Sequence, residues 1–395
     1  MFRITDTLRT FFRKGDVLLL VLCLIASIFG LVLIYSATQY DKKLESYPVK
    51  QAIFICLGVV AYVVLSFVDI ELFTERSWKW MFLFNVFIIL LLLTPFGVGK
   101  EETGNNSWLA FPHIPFTIQP AEVAKLFFVL ILALQCARYR EWGISQPGSV
   151  LRLTAHTLFM AGLIAVVSED FGMVLVYLFI FVIMAFSAGV KLRWFALGGI
   201  LILAMIAAIA VLSVKSETFM QQFGYIIRRF TEVFTHSDPQ GIGWQQNRSI
   251  LAIGSGQLTG QGFRNGIQTQ STSEGSLPAR HTDEIFAVCG EEFGLIGCVI
   301  VLLLLCAIIL RCFWVARSAR SHLSAYIAMG YGAMLLIQTA INVAVCLYIF
   351  PVVGLTLPFF SYGGSSILTL FAAMGIVSGV KMRSLPSWLR DRSNL

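Results

Sequence analysis

Charged residues are scarce in this chain of 395 residues. Asp, Glu, Lys and Arg together make up 13 % of it, whereas hydrophobic residues make up 57 %. Soluble domains carry about 25 % charged residues, so this composition excludes an ordinary soluble protein. Apolar runs of bilayer-spanning length recur from end to end, which predicts an all-α, polytopic membrane protein with about ten transmembrane helices and one long extracellular loop. The predicted spans cover residues 17–37, 51–68, 79–95, 120–137, 154–168, 171–187, 193–213, 285–310, 325–350 and 364–380.

The eight cysteines have neither the spacing of metal ligands nor the framework of a secreted disulfide-rich domain. Seven lie inside apolar runs, Cys312 lies in a basic loop, and the long polar loop has none. This distribution is typical of small apolar core residues. The cysteines therefore predict neither a metal site nor disulfide bonds.

Acidic residues are outnumbered, and the formal net charge is +7. A basic balance can indicate nucleic-acid binding, but here Lys and Arg concentrate before the first span, after the last span and in alternate short loops. This is the positive-inside pattern, so we expect no nucleic-acid partner. An even number of spans then places both termini in the cytoplasm of a multi-pass cell-membrane protein, with residues 214–284 outside.

Residues 214–284 form the one long polar loop of what we expect to be a single membrane domain, residues 1–395. Helical spacing of apolar residues at 219–234 predicts a helix at the membrane interface, with Arg228 and Arg229 among the lipid headgroups. A glycine-rich stretch follows at 250–266. Such a stretch fits a backbone that approaches a ligand, a re-entrant segment or a plain flexible loop.

Four acidic residues stand where this loop meets the eighth predicted span. Asp283 and Glu284 close the loop, and Glu291 and Glu292 follow within the apolar run. A carboxylate in hydrocarbon costs about 2.5–3.5 kcal/mol on insertion scales, so each is by default a candidate functional group. Asp283 is the foremost candidate, because it stands where water, membrane and a cluster of charge meet.

Two further polar features lie at membrane depth or at a helix start. Glu122 and Lys125 are three residues apart and share one helix face, so they can pair with each other. The pair can serve to lock two helices together, or it can contact a substrate phosphate. Asp170 precedes the sixth span, where its side chain can cap the helix. Capping and a part in the site both remain open for Asp170.

The connection before the last span, residues 350–366, has no charged residue but contains two prolines and three glycines. This composition predicts a broken, re-entrant loop that lines a cavity, with Ser361 and Tyr362 hydroxyls inward. The alternative is a short turn outside the membrane.

Several of these segments resemble the SEDS family, which includes RodA, FtsW and SpoVE. The matching segments are HTDEIFA…EEFG at 281–294, QPAEVAK at 119–125, LPFFSYGGSS at 357–366 and GWQ…AIGSG at 243–256. They occur in the family's order along nearly the whole chain. PVVG at 351–354, NGIQTQ at 265–270 and Arg280 before His281 are most similar to RodA.

The resemblance implies a peptidoglycan glycosyltransferase that polymerises lipid II, an undecaprenyl-pyrophosphate-linked substrate, into β-1,4 glycan strands for cell-wall elongation. It implies that Asp283 is the general base of an inverting transfer. Substrate contacts are expected from Glu122, Lys125, Gln245, Arg248, Arg280, His281, Ser361 and Tyr362. Supporting roles are expected from Asp170, Glu284, Glu291 and Glu292.

The same resemblance implies a class B penicillin-binding protein, a transpeptidase, as partner. It also raises the expectation of a divalent cation, Mg²⁺ or Mn²⁺, near Asp283, although no metal-ligand spacing supports one and no cofactor is certain. Two other functions fit the sequence: a flippase that carries lipid II outward, and a scaffold without enzymatic activity. An FtsW-like or SpoVE-like role in division or sporulation is the alternative within the family.

The chain departs from the family pattern in two places near the expected site. Glu284 stands where the family usually has Phe, and a second carboxylate beside Asp283 is expected to raise the pKa of one of the two. The arginine usually found ahead of Trp108 is absent, since Asn106 and Ser107 precede it. One phosphate-binding arginine is therefore expected to be missing or replaced.

Overall fold

A computed structural model describes residues 4–99, 105–112, 116–215, 224, 227–229, 231–238, 240–241, 243–272 and 276–384. A helix overlaps every predicted span, with ends that differ by up to nine residues, so the prediction of an all-α polytopic membrane protein is confirmed. Among the described residues, nine helices are long and apolar enough to cross a bilayer, and a tenth has 17 residues. The helices are α1 Ile4–Lys14, α2 Val17–Thr38, α3 Tyr47–Phe67, α4 Ile70–Leu90, α5 Pro120–Trp142, α6 Pro147–Val167, α7 Phe171–Ser187, α8 Leu192–Lys215, α9 Trp244–Gly256, α10 Ile267–Gln270, α11 Ile285–Arg317, α12 His322–Cys346 and α13 Gly364–Met382.

Small residues set the closest helix packing. A side chain at Gly58 of α3 would collide with Phe371 of α13, and one at Gly375 of α13 would collide with the backbone of Tyr62. Such close approach is typical of membrane helices, which cannot rely on the hydrophobic effect to associate. Helix α8 differs, because no described side chain of its span is buried within the chain.

Both ends of the described chain meet at one end of the bundle. Asp16 caps α2 by accepting a hydrogen bond from the Leu19 amide at 3.2 Å. Its buried carboxylate also pairs with Arg311 in the last third of α11 (2.9 Å) and with Lys381 near the end of α13 (3.3 Å). Both termini therefore lie on one side of the bundle, as an even number of spans requires. That this side is cytoplasmic remains a prediction.

Helix α11 is interrupted at Gly294, whose φ of +65° and ψ of −162° are not helical. The loop after α9 satisfies the backbone groups on both sides of this break. The amides of Gln261 and Gly262 donate to the carbonyls of Glu291 and Glu292, at 2.9 and 3.0 Å. The two acids consequently lie in the short part of α11 that precedes the break.

The glycine-rich stretch forms α9 and a turn packed on that break, so the interpretation as a plain flexible loop is wrong. A side chain at Gly256 would collide with the carbonyl of Gly290, and one at Gly260 with the backbone of Glu292. These glycines allow the loop to lie against α11. Much of 219–234 is outside the described residues, although 227–229 and 231–235 are helical.

A small hairpin precedes α5. Strands β1, Gly97–Val98, and β2, Trp108–Leu109, pair antiparallel, and Leu109 also bridges to Ile118. The hairpin brings the segment that lacks the family's arginine next to the start of α5.

Candidate active site

Asp283 lies in the turn that leads into α11, where its side chain is half-buried. Asn342 of α12 fixes the turn, because its Nδ2 donates to the Asp283 carbonyl and to the Leu355 carbonyl, at 2.7 Å each. Among the described residues, no hydrogen bond or ion pair is made by the Asp283 carboxylate. The turn is therefore rigidly held while the acid itself stays free to react.

The surroundings of Asp283 favour its protonated form. Burial, and then the carboxylates of Glu284 and Asp170, raise the pKa of Asp283 to about 7. The sequence-based expectation that one of two neighbouring acids has a raised pKa agrees with this direction. A carboxylate with a pKa near the working pH is well matched to take up and release a proton.

Glu284, the residue after Asp283, is fully buried. Unlike the Asp283 carboxylate, the Glu284 carboxylate has a hydrogen-bond partner. Gln245 of α9 donates to Glu284 from Nε2 at 3.0 Å. Burial raises the pKa of Glu284, and hydrogen bonds from neighbouring polar side chains oppose this effect. Glu284 thus links α9 to the turn and places like charge against Asp283.

A cavity of about 420 Å³ lies on the other side of Gln245, and Asp283 is not among the described residues that line it. Its lining residues are Arg229, Asp238, Gly241, Trp244, Gln245, Gln246 and Val352. Gln245 joins the cavity to the Glu284 carboxylate. Arg229 donates to the Val352 carbonyl at 3.1 Å, so it has a contact within the protein as well as the headgroup position predicted from the sequence.

The charge-free connection before α13 is irregular from 351 to 363 and packs against the turn that contains Asp283. Ser361 Oγ donates to the Thr282 carbonyl at 2.6 Å and accepts from the Leu357 amide at 2.8 Å. The Tyr362 amide donates to the His281 carbonyl at 2.8 Å. These bonds direct the Ser361 hydroxyl to backbone groups, so its immediate effect is to hold two loops together.

Aromatic contacts complete this junction. The Tyr362 ring stacks on Tyr47 with centroids 4.3 Å apart, and His281 meets the Tyr47 edge at 5.4 Å. Burial and Arg280 lower the pKa of His281 to about 4, so its imidazole is neutral near pH 7. Gln51 donates to the Ser361 carbonyl and accepts from the Gly363 amide, both at 3.2 Å.

The Arg280 side chain makes its hydrogen bonds within the protein. It donates to the carbonyls of Leu277, Gln268, Thr269 and Ser271 and to the hydroxyl of Ser276. Its guanidinium also stacks on the Tyr40 ring, 3.6 Å from the centroid. The side chain is buried and its hydrogen bonds all go to the surrounding loop, so in this arrangement it braces the loop.

Glu122 and Lys125 form the expected ion pair, with 2.9 Å between Glu122 Oε2 and Lys125 Nζ. Gln338 of α12 and Thr369 of α13 also donate to the Glu122 carboxylate, at 3.2 and 3.4 Å. Both charged side chains are almost completely buried. Of the two open interpretations, these contacts favour the pair that ties helices over a phosphate contact.

Asp170 caps α7, as the sequence suggested, by accepting from the Met173 amide at 3.0 Å. Its other oxygen accepts from Gln119 Nε2 at 3.0 Å, which connects α7 to the start of α5. Burial raises the pKa of Asp170 to about 6, and Asp170 in turn raises that of Asp283. It therefore combines a structural role with an electrostatic one.

Glu291 and Glu292 hold the loop that follows α9. Glu291 accepts from the amides of Gln268 and Thr269, at 2.7 and 2.8 Å, and from the Thr269 hydroxyl. Glu292 accepts from Ser36 Oγ at 2.6 Å and so connects α2 to α11. Both are supporting residues in this structure.

Of the three basic residues expected to contact the substrate, Arg248 makes the fewest polar contacts with the described residues. It lies on α9, partly exposed, and within the described residues its Nε has no hydrogen-bond partner. Lys125 and Arg280 are both occupied, so Arg248 and the cavity-lining Arg229 are the better candidates to meet a polyanion.

Sequence reasoning missed Asn342, Gln51 and Tyr47, which position the two loops around Asp283. A signal existed for Asn342, since a polar amide in the middle of an apolar span is unusual and calls for an explanation. No such signal existed for Gln51 and Tyr47, because both stand near the end of a span where polar residues are common.

We expect Asn342→Leu to reduce catalysis strongly while the helix bundle stays folded. Two hydrogen bonds of about 1 kcal/mol each would be lost, and the turn could move relative to the loop at Leu355. The matched control is Thr339→Val on the same helix, whose hydroxyl has no described partner. A turnover lowered at saturating substrate, with little change in KM, would mark Asn342 as a positioning residue; equal loss in the control would contradict this.

The described residues around Asp283 provide few ligands for a divalent cation. The part of the chain that the structure describes contains no group of three His, Cys, Asp or Glu side chains placed to hold a metal ion. Gln245 already donates to the Glu284 carboxylate beside Asp283. The described residues therefore do not form a metal site, and no step below depends on one.

Comparison with known proteins places this site in a family. A family model described as Cell cycle protein, covering FtsW, RodA and SpoVE, matches residues 16–385. The chain belongs to this family. It is 30 % identical, over 96 % of its length and 98 % of the relative, to the Probable peptidoglycan glycosyltransferase FtsW of Trichlorobacter lovleyi. It is 31 % identical, over 93 % of its length and 97 % of the relative, to Stage V sporulation protein E of Bacillus subtilis.

Solved structures of similar proteins support the same family assignment. The Rod shape determining protein RodA of Thermus thermophilus is 26 % identical, with a TM-score of 0.64 over 94 % of this chain and 98 % of that one. A chain from work on structural coordination of polymerization and crosslinking by a peptidoglycan synthase complex has a TM-score of 0.72 at 26 % identity, over 96 % of this chain and 98 % of that one. The protein is accordingly a peptidoglycan glycosyltransferase of the SEDS family, embedded in a membrane through many spans.

Proposed function

We propose that this protein polymerises lipid II into β-1,4 glycan strands by an inverting transfer in which Asp283 is the general base. One observation carries the assignment. Asp283 is held in a fixed turn whose next residue, Glu284, accepts a hydrogen bond from the cavity-lining Gln245, and the Asp283 carboxylate makes no hydrogen bond or ion pair with the described residues. An acid used only for structure would be expected to have such partners, as Glu291 does.

The proposed reaction is a single displacement. The sugar 4-hydroxyl oxygen of one substrate attacks the anomeric carbon of the other, and the bond from that carbon to the lipid pyrophosphate breaks. The hydroxyl proton passes to the Asp283 carboxylate, and the pyrophosphate leaves with the bonding electrons. Attack opposite the leaving group converts an α-linked donor into a β-linked product, as in inverting glycoside hydrolysis. General base catalysis of this kind contributes about 10²–10⁴-fold to the rate.

Negative charge grows on the departing pyrophosphate, and cations near it would stabilise the transition state. We assign this role to Arg248 and Arg229. Arg229 already lines the cavity next to Gln245, and both arginines belong to the loop that carries the site. Lys125 and Arg280 then act indirectly, by fixing helices and loop.

We place this site on the outer side of the cell membrane with both termini in the cytoplasm, because the basic residues concentrate at the opposite end of the bundle. We further propose an elongation role and a class B penicillin-binding protein as partner. The RodA-like segments at 265–270 and 351–354 support elongation over division. The extensively exposed apolar surface of α8 offers an area for a single-helix partner.

Reconstitution tests the function directly. Liposomes that contain the purified protein and fluorescent lipid II are expected to accumulate glycan polymer, which gel electrophoresis resolves by length. Digestion with a muramidase should convert that product to disaccharide units and so establish the β-1,4 linkage. Transport of lipid II across the bilayer without any polymer would instead establish the flippase alternative.

A further inference from the structure

A second cavity lies within the bundle and shares no lining residue with the cavity near Asp283. It has a volume of about 250 Å³ and is bordered by α4, α5 and α6. We call it the membrane pocket and define it by its lining residues, Trp78, Phe82, Ile131, Gln135, His156 and Phe159. Four of its six walls are apolar or aromatic, and Phe159 is exposed toward the lipid.

One polar atom in the membrane pocket has no partner. His156 is 8 % exposed, and its Nδ1 lies 3.2 Å from Gln135 Oε1. A carbonyl oxygen can only accept, so Nδ1 carries the imidazole hydrogen and Nε2 keeps a lone pair. Among the described residues, Nε2 is buried without a hydrogen-bond partner. Since buried polar atoms are nearly always satisfied, the pocket is shaped to receive a hydrogen-bond donor.

The lining of the pocket fits a ligand that carries both a hydrogen-bond donor and an apolar chain. Gln135, His156 and the Trp78 indole are its polar groups, and the remaining lining residues are apolar. A volume of 250 Å³ corresponds to about eight water-sized groups at ~30 Å³ each, enough for part of one chain but not two. The geometry therefore fits an apolar chain that carries a hydroxyl.

Two cations flank the wall of the pocket. Lys79 Nζ lies 5.6 Å from the centroid of the Trp78 ring, and the Arg138 guanidinium lies 5.7 Å from it. Arg138 is one helical turn beyond Gln135, which itself is seven residues, or about 10 Å, from the end of α5. That end carries the basic residues of the bundle, where long cationic side chains reach the headgroup region.

We propose that the membrane pocket binds a single-chain anionic lipid from the leaflet on this basic face. Its phosphate lies near Lys79 and Arg138, its chain follows Phe82 and Phe159, and a hydroxyl on its glycerol donates to His156 Nε2. A lysophosphatidic acid has this order of groups, with one hydroxyl between phosphate and chain.

A matched pair of lipids tests the proposal. Oleoyl lysophosphatidic acid and oleoyl propanediol phosphate differ only by that hydroxyl. Native mass spectrometry of the full-length protein in detergent is expected to show about five-fold tighter binding of the first, the effect of one hydrogen bond. His156→Phe should abolish this difference, whereas His322→Phe, at an exposed histidine, should preserve it.

Further variants separate the two contacts. Arg138→Gln is expected to weaken both lipids alike, because it removes charge and not the hydroxyl acceptor. If His156→Phe does not fold, Gln135→Leu serves in its place, since it frees the tautomer that Gln135 fixes and should reduce the five-fold ratio. Equal affinity of the two lipids for the wild-type protein, or an unchanged ratio in His156→Phe, would overturn the proposal.

Discussion

An Asp283→Asn variant is expected to make no detectable glycan polymer from lipid II while it inserts and folds normally. Asparagine keeps the size of the side chain but cannot accept the hydroxyl proton, so the rate should fall by about 10²–10⁴-fold. The turn should survive, because Asn342 donates to the backbone carbonyl at this position and not to the carboxylate. The measurement is polymer yield in lipid II liposomes, with Asp41→Asn, a half-buried residue that caps another helix start, as the matched control.

The pH dependence of polymerisation should also identify Asp283 as the general base. Only ionised Asp283 is a base, so activity should rise with pH and reach half its plateau near pH 7, where the pKa of Asp283 lies. Glu284→Gln removes the neighbouring negative charge and is expected to move this midpoint to lower pH. A midpoint that stays unchanged in Glu284→Gln would contradict the electrostatic role of Glu284, and normal polymer from Asp283→Asn would reject the general base.

Stability should respond in the opposite direction. The pKa of Asp283 is about 7 in the folded protein and about 4 in an unfolded chain. Between these values the folded state retains a proton that the unfolded state has lost, so the free energy of unfolding falls as pH rises. Asp283→Asn has no ionisable group at this position, so its free energy of unfolding does not fall in this way as pH rises. Its melting temperature should therefore match that of the wild type near pH 4 and exceed it above pH 7.

The spans could be predicted from sequence because their signal is local: a run of apolar residues long enough to cross a bilayer. The break at Gly294 could not, because apolar residues continue on both sides of it. Its non-helical backbone depends on the turn after α9, which contacts it from over thirty residues earlier in the chain. Such a contact leaves no periodic pattern in either segment.

In the candidate site, too, local sequence features could be predicted, and features that depend on distant contacts could not. Spacing alone predicted the Glu122–Lys125 pair, and position alone predicted the cap at Asp170. By contrast, Arg280 resembled a phosphate ligand until its donors were traced to the carbonyls of its own loop. Residue type indicates which chemistry a side chain can perform, but its partners decide which chemistry remains for a substrate.

Lys125→Met is expected to destabilise the protein severely, by about 3–5 kcal/mol, because it leaves the Glu122 carboxylate buried without a counter-charge. Gln338 and Thr369 would remain as donors, but they carry no positive charge. The measurement is unfolding of the purified protein in detergent, and Lys191→Met at an exposed position is the control.

The double variant Glu122→Gln with Lys125→Met separates the two roles considered for this pair. A neutral glutamine can keep the hydrogen bond from Thr369 and needs no counter-charge, so most of the lost stability should return. If the pair only ties α5 to α12 and α13, polymerisation should return with it. If Lys125 also contacts the substrate phosphate, the double variant should fold yet remain inactive, because the cation is still missing. Recovery of fold and activity together would therefore assign Lys125 to the framework and leave Arg229 and Arg248 to meet the pyrophosphate.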